Sequence, residues 1–366
     1  MRKVLIFSAG FITLTLLTLI YSCLSLDKDF SEDIWINSVE KTKTEDLYAQ
    51  NFENGDFFNP WMKMKAKGFI DALGWKLSPS KNYTKEEKVF KPEFPGKIKD
   101  RIRKTKGDFV LWIGHNTFLL RIDNIYWITD PMFSKRALIP TRATKPAISI
   151  EDLNEITKDI NIVITHNHYD HLDEESIKKL PIESKVFVPK GLGKIVRLMN
   201  KTNVYEMNWW EDINIGKKLR LICLPAQHWS LRYDSPRNST LWASYLLKTE
   251  NYNIYFAGDS GYFKGFKEIG RKYPGIDYAF MPTTAYHPRW LMHYQHMNIP
   301  ENVKAFKELS AKYFIPTQWG TFQLGDEPVG LPALELKKYI KKNKLDRSKY
   351  KILSIGEILP LKTVVD

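Results

Sequence analysis

The sequence predicts an α+β fold: two β-sheets packed together, with helices on the outside. Two observations carry this. From Asp108 onward, short apolar runs are broken by turn residues such as Gly114 and Asn124, as a series of strands requires. Further along, apolar runs alternate with stretches of helical periodicity. Strands that come first in runs and then alternate with helices are satisfied by two stacked sheets covered by helices.

Taken in order, strands are expected over 109–113, 117–122, 125–129, 161–165, 185–188, 219–224, 241–247, 253–257, 278–281 and 312–316. Helices are expected over 174–180, 192–199, 263–273, 300–309 and 331–342. Residues 27–106 are charged and weakly periodic. They read as a linker and N-terminal extension with short helices, packed on the main domain through aromatics such as Phe57, Phe58 and Trp61. The main domain then spans 107–366.

The first 26 residues are a different object. Arg2 and Lys3 precede an uncharged, mostly apolar stretch, about the ~20 residues a membrane-spanning helix needs. The positive start favours export of the remainder. Ile20-Tyr21-Ser22-Cys23 resembles a relaxed lipobox, which would make Cys23 a lipidated first residue. The expected location is therefore membrane-associated on the exported side. An uncleaved anchor, a lipoprotein and a cleaved signal all remain open.

The chain has 366 residues and a net charge of +13. Its lysines are scattered and no nucleic-acid motif is visible, so an anionic lipid surface suits the charge better than nucleic acid. Two cysteines, Cys23 and Cys223, exclude a disulfide scaffold and a cysteine-based zinc site. Cys223 lies in an apolar strand and is expected to be a buried small hydrophobe.

The chemistry concentrates in Thr165-His166-Asn167-His168-Tyr169-Asp170-His171-Leu172-Asp173, directly after Ile162-Val163-Ile164. Imidazole nitrogen and carboxylate oxygen are the donors that borderline divalent ions such as zinc prefer. His166 and His168 are two apart and face one side of an extended segment, which suits one ion. Asp170 and His171 follow where the chain turns and can reach a second. Paired ions clamp attacking and leaving oxygens and activate water near neutral pH. Asp170 could also act as the base that orients that water.

A two-metal site needs further ligands at other strand ends. All eight histidines lie between His115 and His296. His228, after the strand over 219–224, can complete a three-imidazole set. Asp259, in Gly258-Asp259-Ser260-Gly261 at a strand tip, can bridge two ions, or else cap the following helix. His115 and Asp130 are candidates for orienting ligands from behind. Arg289 and His296 are candidates for contacting a substrate phosphate, with a structural ion pair as the alternative for Arg289.

These residues, in this order, resemble the metallo-β-lactamase superfamily, and within it the branch of N-acylphosphatidylethanolamine-hydrolysing phospholipase D. The resemblance runs from about Phe57 to the C-terminus. It rests on Phe57-Phe58-Asn59-Pro60-Trp61, Trp112-Ile113-Gly114-His115-Asn116-Thr117, Thr129-Asp130-Pro131, the 166–173 loop, Trp209-Trp210-Glu211, Gln227-His228-Trp229, Phe256-Ala257-Gly258-Asp259-Ser260-Gly261-Tyr262, Tyr294-Gln295-His296 and Trp319-Gly320-Thr321-Phe322. It implies a four-layer αββα sandwich with two zinc ions at one edge of the sheets. His166, His168 and His228 would hold one, Asp170 and His171 the other, and Asp259 would bridge. Water between the ions would attack phosphorus, with Asp170 orienting it.

Two positions depart from the branch. Gln318 stands where the family has a final metal-binding histidine, which leaves the second ion loose, replaced by a harder ion, or absent. His287 stands where the family has a glutamate, and is a candidate substitute imidazole; a histidine hydrogen-bonded in its loop is the alternative. The expected activity is hydrolysis of phosphodiester lipids beside a membrane surface, with a homodimer left open. The alternatives are hydrolysis of small cyclic or phosphorylated esters, and a binding protein that has lost catalysis through Gln318.

Overall fold

The computed structural model describes residues 30–64, 69–78, 81–94 and 96–361. The stretch over 1–26 and Cys23 lie outside the described residues. Among the described residues, no helix is long and apolar enough to cross a membrane.

A short hairpin, β1 (Phe52–Glu53) and β2 (Asp56–Phe57), precedes two large sheets. The first contains β3 (Phe109–Gly114), β4 (Thr117–Ile122), β5 (Ile125–Thr129), β6 (Ile160–Val163), β7 (Val186–Pro189), β8 (Val204–Met207) and β15 (Ile358–Pro360), in the order β15-β3-β4-β5-β6-β7-β8. The second contains β9 (Asp212–Ile215), β10 (Leu219–Leu224), β11 (Ser244–Lys248), β12 (Asn253–Phe256), β13 (Tyr278–Pro282) and β14 (Tyr313–Thr317), in the order β14-β13-β12-β11-β10-β9. Each begins as an antiparallel meander and ends in parallel strands, β5 to β8 in one and β12 to β14 in the other. Parallel pairs need long crossovers, which helices such as Gly265–Lys272 and Ile299–Glu308 supply.

The sequence explains the stacking. β3 reads Phe-Val-Leu-Trp-Ile-Gly and is buried at every position, as a strand covered on both faces must be. One continuous core joins the sheets: the Phe118 ring of β4 meets the Phe280 ring of β13 edge-on, with centroids 4.8 Å apart. Such a pair adds about 0.5–1.5 kcal/mol beyond its buried area. Cys223 is buried in β10, as its apolar strand predicts.

Most strands start or end within a residue or two of expectation, and β4, β5 and β10 match it. The strand expected over 241–247 is shorter, because Leu241 and Ala243 donate their N–H groups to Lys190 O and Thr165 O rather than to a ladder of their own sheet. Besides the short β1–β2 hairpin, three strands of the two large sheets were not anticipated. All three are partly exposed edge strands: β8 and β9 interleave polar residues, and β15 is only three residues long, so none carries a sustained apolar run.

Candidate metal centre

Parallel order puts the C-terminal ends of β5, β6, β10, β12, β13 and β14 at one edge of the sandwich, beside the β3–β4 turn. His115 lies in that turn, Asp130 follows β5, the 166–171 loop follows β6, and His228 follows β10. Asp259 follows β12 and Gln318 follows β14. Residues spread over two hundred positions thus converge because each ends a strand.

The turn after β12 depends on glycine. Gly258 has φ +62°, and a Cβ there would lie 2.8 Å from Thr165 and 3.1 Å from Ala243 O. Only a residue without a side chain lets the Asp259 carboxylate come this close to the 166–171 loop.

Two groups of donor atoms result, one of His166, His168, His228 and Asp259, the other of His115, Asp170 and His171. In the first, His166 Nε2 lies 2.9 Å from His168 Nδ1, and His228 Nε2 lies 3.2 Å from that same nitrogen. Asp259 Oδ2 is 3.7 Å from His166 Nε2 and 3.5 Å from His228 Nε2. A tetrahedral zinc ion with ~2.0–2.1 Å bonds needs donors separated by about 3.3 Å, and these distances bracket that value. In the second, His171 Nε2 is 3.3 Å from Asp170 Oδ2 and 3.2 Å from Asp259 Oδ1. Asp259 therefore turns one oxygen to each group, the arrangement of a bridging ligand.

The donors fit metal ions on their own chemistry. Three imidazole nitrogens converge in the first group, and neutral rings cannot all satisfy one another, because each carries one N–H and one lone pair. His171 Nε2 and His168 Nε2 are buried without a hydrogen-bond partner. Burial, together with neighbouring imidazoles, holds His166 and His228 well below the usual histidine range and His168 down to about 4. They are neutral lone-pair donors at neutral pH. Burial would also depress His171, but the surrounding carboxylates of Asp259, Asp170 and Asp130 hold it well above the usual range. Burial opposes ionisation of Asp170 and Asp259; the charge of His171 outweighs it and keeps both as carboxylates. A cluster of buried anions stabilising a positive charge is what a cation site looks like before its ion is considered.

A second layer of hydrogen bonds fixes these donors. Asp130 Oδ2 accepts from His171 Nδ1 at 2.7 Å, from Thr165 Oγ1 at 2.7 Å and from Asn116 Nδ2 at 2.6 Å, while Oδ1 accepts from Thr165 N. His228 Nδ1 meets Gln295 O at 3.2 Å, and His115 Nε2 meets Asp170 Oδ2 at 3.0 Å. Such partners set ring orientation and tautomer. His296 packs edge-on against His228, with ring centroids 5.4 Å apart.

Two candidates lie elsewhere. Arg289 is nearly buried and paired with Glu32 and Glu301, and it donates Nη1 to His296 O. With its charge neutralised it ties the N-terminal helix Glu32–Glu40 to helix Ile299–Glu308, so the structure does not offer it to a substrate phosphate. His287 belongs to neither donor group; its ring packs against Tyr286 and its N–H donates to Glu327. The structure does not bring it to the metal centre, because the loop after β13 carries it toward Glu327. Gln318 does reach the centre: buried, it donates Nε2 to Asp259 Oδ1.

Sequence reading overlooked several supports. Arg232 is buried, donates Nη1 to Asn167 O and Leu172 O at 3.2 and 2.9 Å, and covers the Tyr169 ring. It pins the metal loop at both ends. Asn59 donates to His228 O at 3.1 Å, and Trp61 donates to Gln227 at 2.9 Å, so the N-terminal aromatics brace the His228 loop. The only sequence signals were Arg232's place four residues after His228 and the Phe57–Trp61 motif itself.

Residues 126–319 match the model of the beta-lactamase superfamily domain. The chain belongs to the metallo-β-lactamase superfamily. It is 32% identical over 328 residues to N-acyl-phosphatidylethanolamine-hydrolyzing phospholipase D 1 of Caenorhabditis elegans, covering 84% of this chain and 91% of that protein. It is 33% identical over 228 residues to the mitochondrial N-acyl-phosphatidylethanolamine-hydrolyzing phospholipase D of Saccharomyces cerevisiae, covering 59% of this chain and about half, 48%, of the yeast protein. Among solved structures, a metallo hydrolase from the archaeon Ignicoccus hospitalis superposes with a TM-score of 0.54 at 20% identity, over 70% of this chain and 98% of that one. This member of the superfamily is a metal-dependent hydrolase, and its two stacked sheets with outer helices are the superfamily's αββα sandwich.

Proposed function

We propose that this hydrolase cleaves phosphodiester lipids in the manner of a phospholipase D, with N-acylphosphatidylethanolamine-type substrates as the specific class. The observation that carries this reading is an open, apolar groove of about 490 Å³ that runs directly onto the metal-binding loop. Leu138, Ile139, Trp229 and Tyr233 line it, and His168 and Asp170 lie at its floor. Ile139 is 76% and Tyr233 82% exposed. Large apolar side chains on the rim of a charged site are costly in water and suit an acyl chain or the edge of a bilayer. The similarity to the nematode phospholipase D supports the same reading.

Ions held by His166, His168, His228, Asp170, His171 and Asp259 would supply Lewis-acid activation of water and neutralise phosphoryl charge. Zinc fits the first donor set best. The chain's own residues do the remainder. Asp170 is the cluster carboxylate that faces the groove, with 13% of its side chain exposed against 4% for Asp259. Held ionised, it is placed to take a proton from the attacking water at its carboxylate oxygen. His115 steadies that carboxylate from behind. Water adds to phosphorus, the bond from phosphorus to the N-acylethanolamine oxygen breaks, that oxygen takes the proton from Asp170, and phosphatidic acid and the N-acylethanolamine alcohol result. His166, His171 and His228 stay fixed throughout, because Thr165, Asp130 and the Gln295 carbonyl hold their imidazoles.

The test compares substrates. Metal-loaded protein lacking residues 1–26 should release phosphatidic acid from N-acylphosphatidylethanolamine vesicles, and should turn over a soluble phosphodiester such as bis(p-nitrophenyl) phosphate far more slowly. Preference for the soluble ester would move the reading to a small-ester hydrolase. Loss of both activities in a fully loaded protein would favour a binding homologue.

A further inference from the structure

We infer that the two metal sites differ in kind: the second is oxygen-rich, with the Gln318 amide oxygen as its fourth donor, and it takes a harder divalent ion, manganese(II), beside zinc in the first. This rests on the metal-centre reading but not on the identity of the substrate.

The donor count carries it. The first site offers three imidazole nitrogens and one carboxylate oxygen, from His166, His168, His228 and Asp259. In the second, His115 Nε2 is taken up by Asp170 Oδ2 at 3.0 Å, which leaves one imidazole, His171, with carboxylate oxygens from Asp170 and Asp259. Gln318 closes that second set. It is 1% exposed, and its amide terminus already touches Asp259 Oδ1, the very oxygen that faces His171 Nε2. Its Oε1 is buried with no hydrogen-bond partner. An amide keeps its shape when its oxygen and nitrogen exchange places. A half-turn would set Oε1 where Nε2 now contacts Asp259 Oδ1; it gives up that one hydrogen bond, which an ion between the two oxygens would replace.

The backbone is built to hold Gln318 there. Its φ is +73°, a left-handed conformation that costs a residue with a side chain about 1–3 kcal/mol unless its surroundings enforce it. Its N–H donates to His115 O at 3.0 Å, and His115, itself at φ +51°, is held through its N–H by Thr321 Oγ1 at 2.8 Å. Two residues in the left-handed conformation, one from the β3–β4 turn and one after β14, lock against each other at the rim of the second site, so Gln318 is positioned rather than loosely placed.

Three oxygens and one nitrogen make a harder donor set than three nitrogens and one oxygen. Carboxylate and carbonyl oxygens suit manganese, whereas imidazole-rich sets suit zinc. Zinc binds more tightly than manganese in most sites, so the meaningful quantity is the ratio of the two affinities at each site. That ratio should favour zinc at least ~10-fold less at the second site than at the first, within the range that changes in a ligand's surroundings produce.

The experiment uses the metal-free full-length chain in detergent, titrated with zinc and manganese separately and together. Bound metals are counted by mass spectrometry, and bound manganese is followed by electron paramagnetic resonance. The expected result is one tight zinc and, with both ions present, one zinc and one manganese per chain. Gln318→His should convert the protein to two zinc ions, tightening the second zinc about 10–100-fold. Gln318→Leu should lose the manganese signal while keeping the first zinc, which also reports that the variant folds. Gln318→Glu, which retains an oxygen donor, should keep the manganese. Two equally tight zinc ions in the parent would overturn the inference, as would no bound manganese, or a manganese signal unchanged in Gln318→Leu. No lipid turnover from a protein loaded as expected would refute the substrate reading alone.

Discussion

At the residue scale the centre depends on a few side chains that present lone pairs and a few that hold them still. Asp130 never needs to touch an ion, yet its two oxygens receive His171 Nδ1, Thr165 and Asn116. Asp130→Ala should therefore weaken binding of the second metal about 10–100-fold, with activity falling in parallel; metal retention during dialysis against a chelator checks this. Asp170→Asn should keep the first zinc and lower kcat about 10²–10⁴-fold, the usual contribution of a positioned base. A variant with normal kcat would remove Asp170 from the proton's path. The donor cluster was legible in the sequence because its members are neighbours: His166, His168, Asp170 and His171 fall within six positions, and the fold gathers them into two donor groups. Arg232 and Asn59 were not, because their roles are bonds to backbone carbonyls of distant segments, and no local pattern marks a side chain destined for a carbonyl. His287 shows the opposite case, where an imidazole exchanged in sequence lies in space beside Glu327 and Tyr286.

At the element scale, the strands with continuous apolar runs were the readable ones, and the edges were not. Helix Leu331–Lys342 occupies the span expected of it, since Pro332 opens it and Leu331, Leu336 and Ile340 keep a buried face. β8 and β9 carry alternating polar residues because each has a free edge, and in a short strand that texture looks like a loop. The loops after β13 and β14 are braced by a buried acid. Glu327 accepts from the N–H groups of Tyr286 and His287, and burial pushes its pKa up to about 7. Burial likewise raises Glu301 to about 7, despite its pairing with Arg289. A carboxyl whose folded pKa lies above its usual 4.5 favours the fold while protonated. That contribution is whole below pH 4.5 and is lost as pH rises through 7. Thermal stability should accordingly fall between pH 5 and 8, by of the order of 1–3 kcal/mol for Glu327. Glu327→Gln should flatten this part of the profile, and calorimetry across that pH range would show it. An equally steep profile in the variant would contradict the assignment.

At the scale of the whole molecule, the sandwich brings strand ends to one edge and sets an apolar groove against them. Leu138 and Ile139 on one side and Leu231 and Tyr233 on the other form the rim. If lipid is the substrate, these residues act on access and not on chemistry. Replacing Leu138 and Ile139 by Asp should raise the apparent KM on vesicles about 10-fold or more, given ~1.5–3 kcal/mol per large apolar side chain removed from water. Turnover of a soluble phosphodiester should change little, and the metal content should stay the same. The scattered basic charge summing to +13 would draw the molecule to anionic membranes and make that step sensitive to salt.

The most direct measurement follows the phosphorus. Metal-loaded protein is mixed with N-acylphosphatidylethanolamine vesicles and observed by phosphorus-31 nuclear magnetic resonance, with Asp170→Asn as the control. Conversion of the phosphodiester signal to the monoester of phosphatidic acid, absent in the variant, is the predicted result. A phosphodiester signal that persists beside protein carrying both metals would contradict the account.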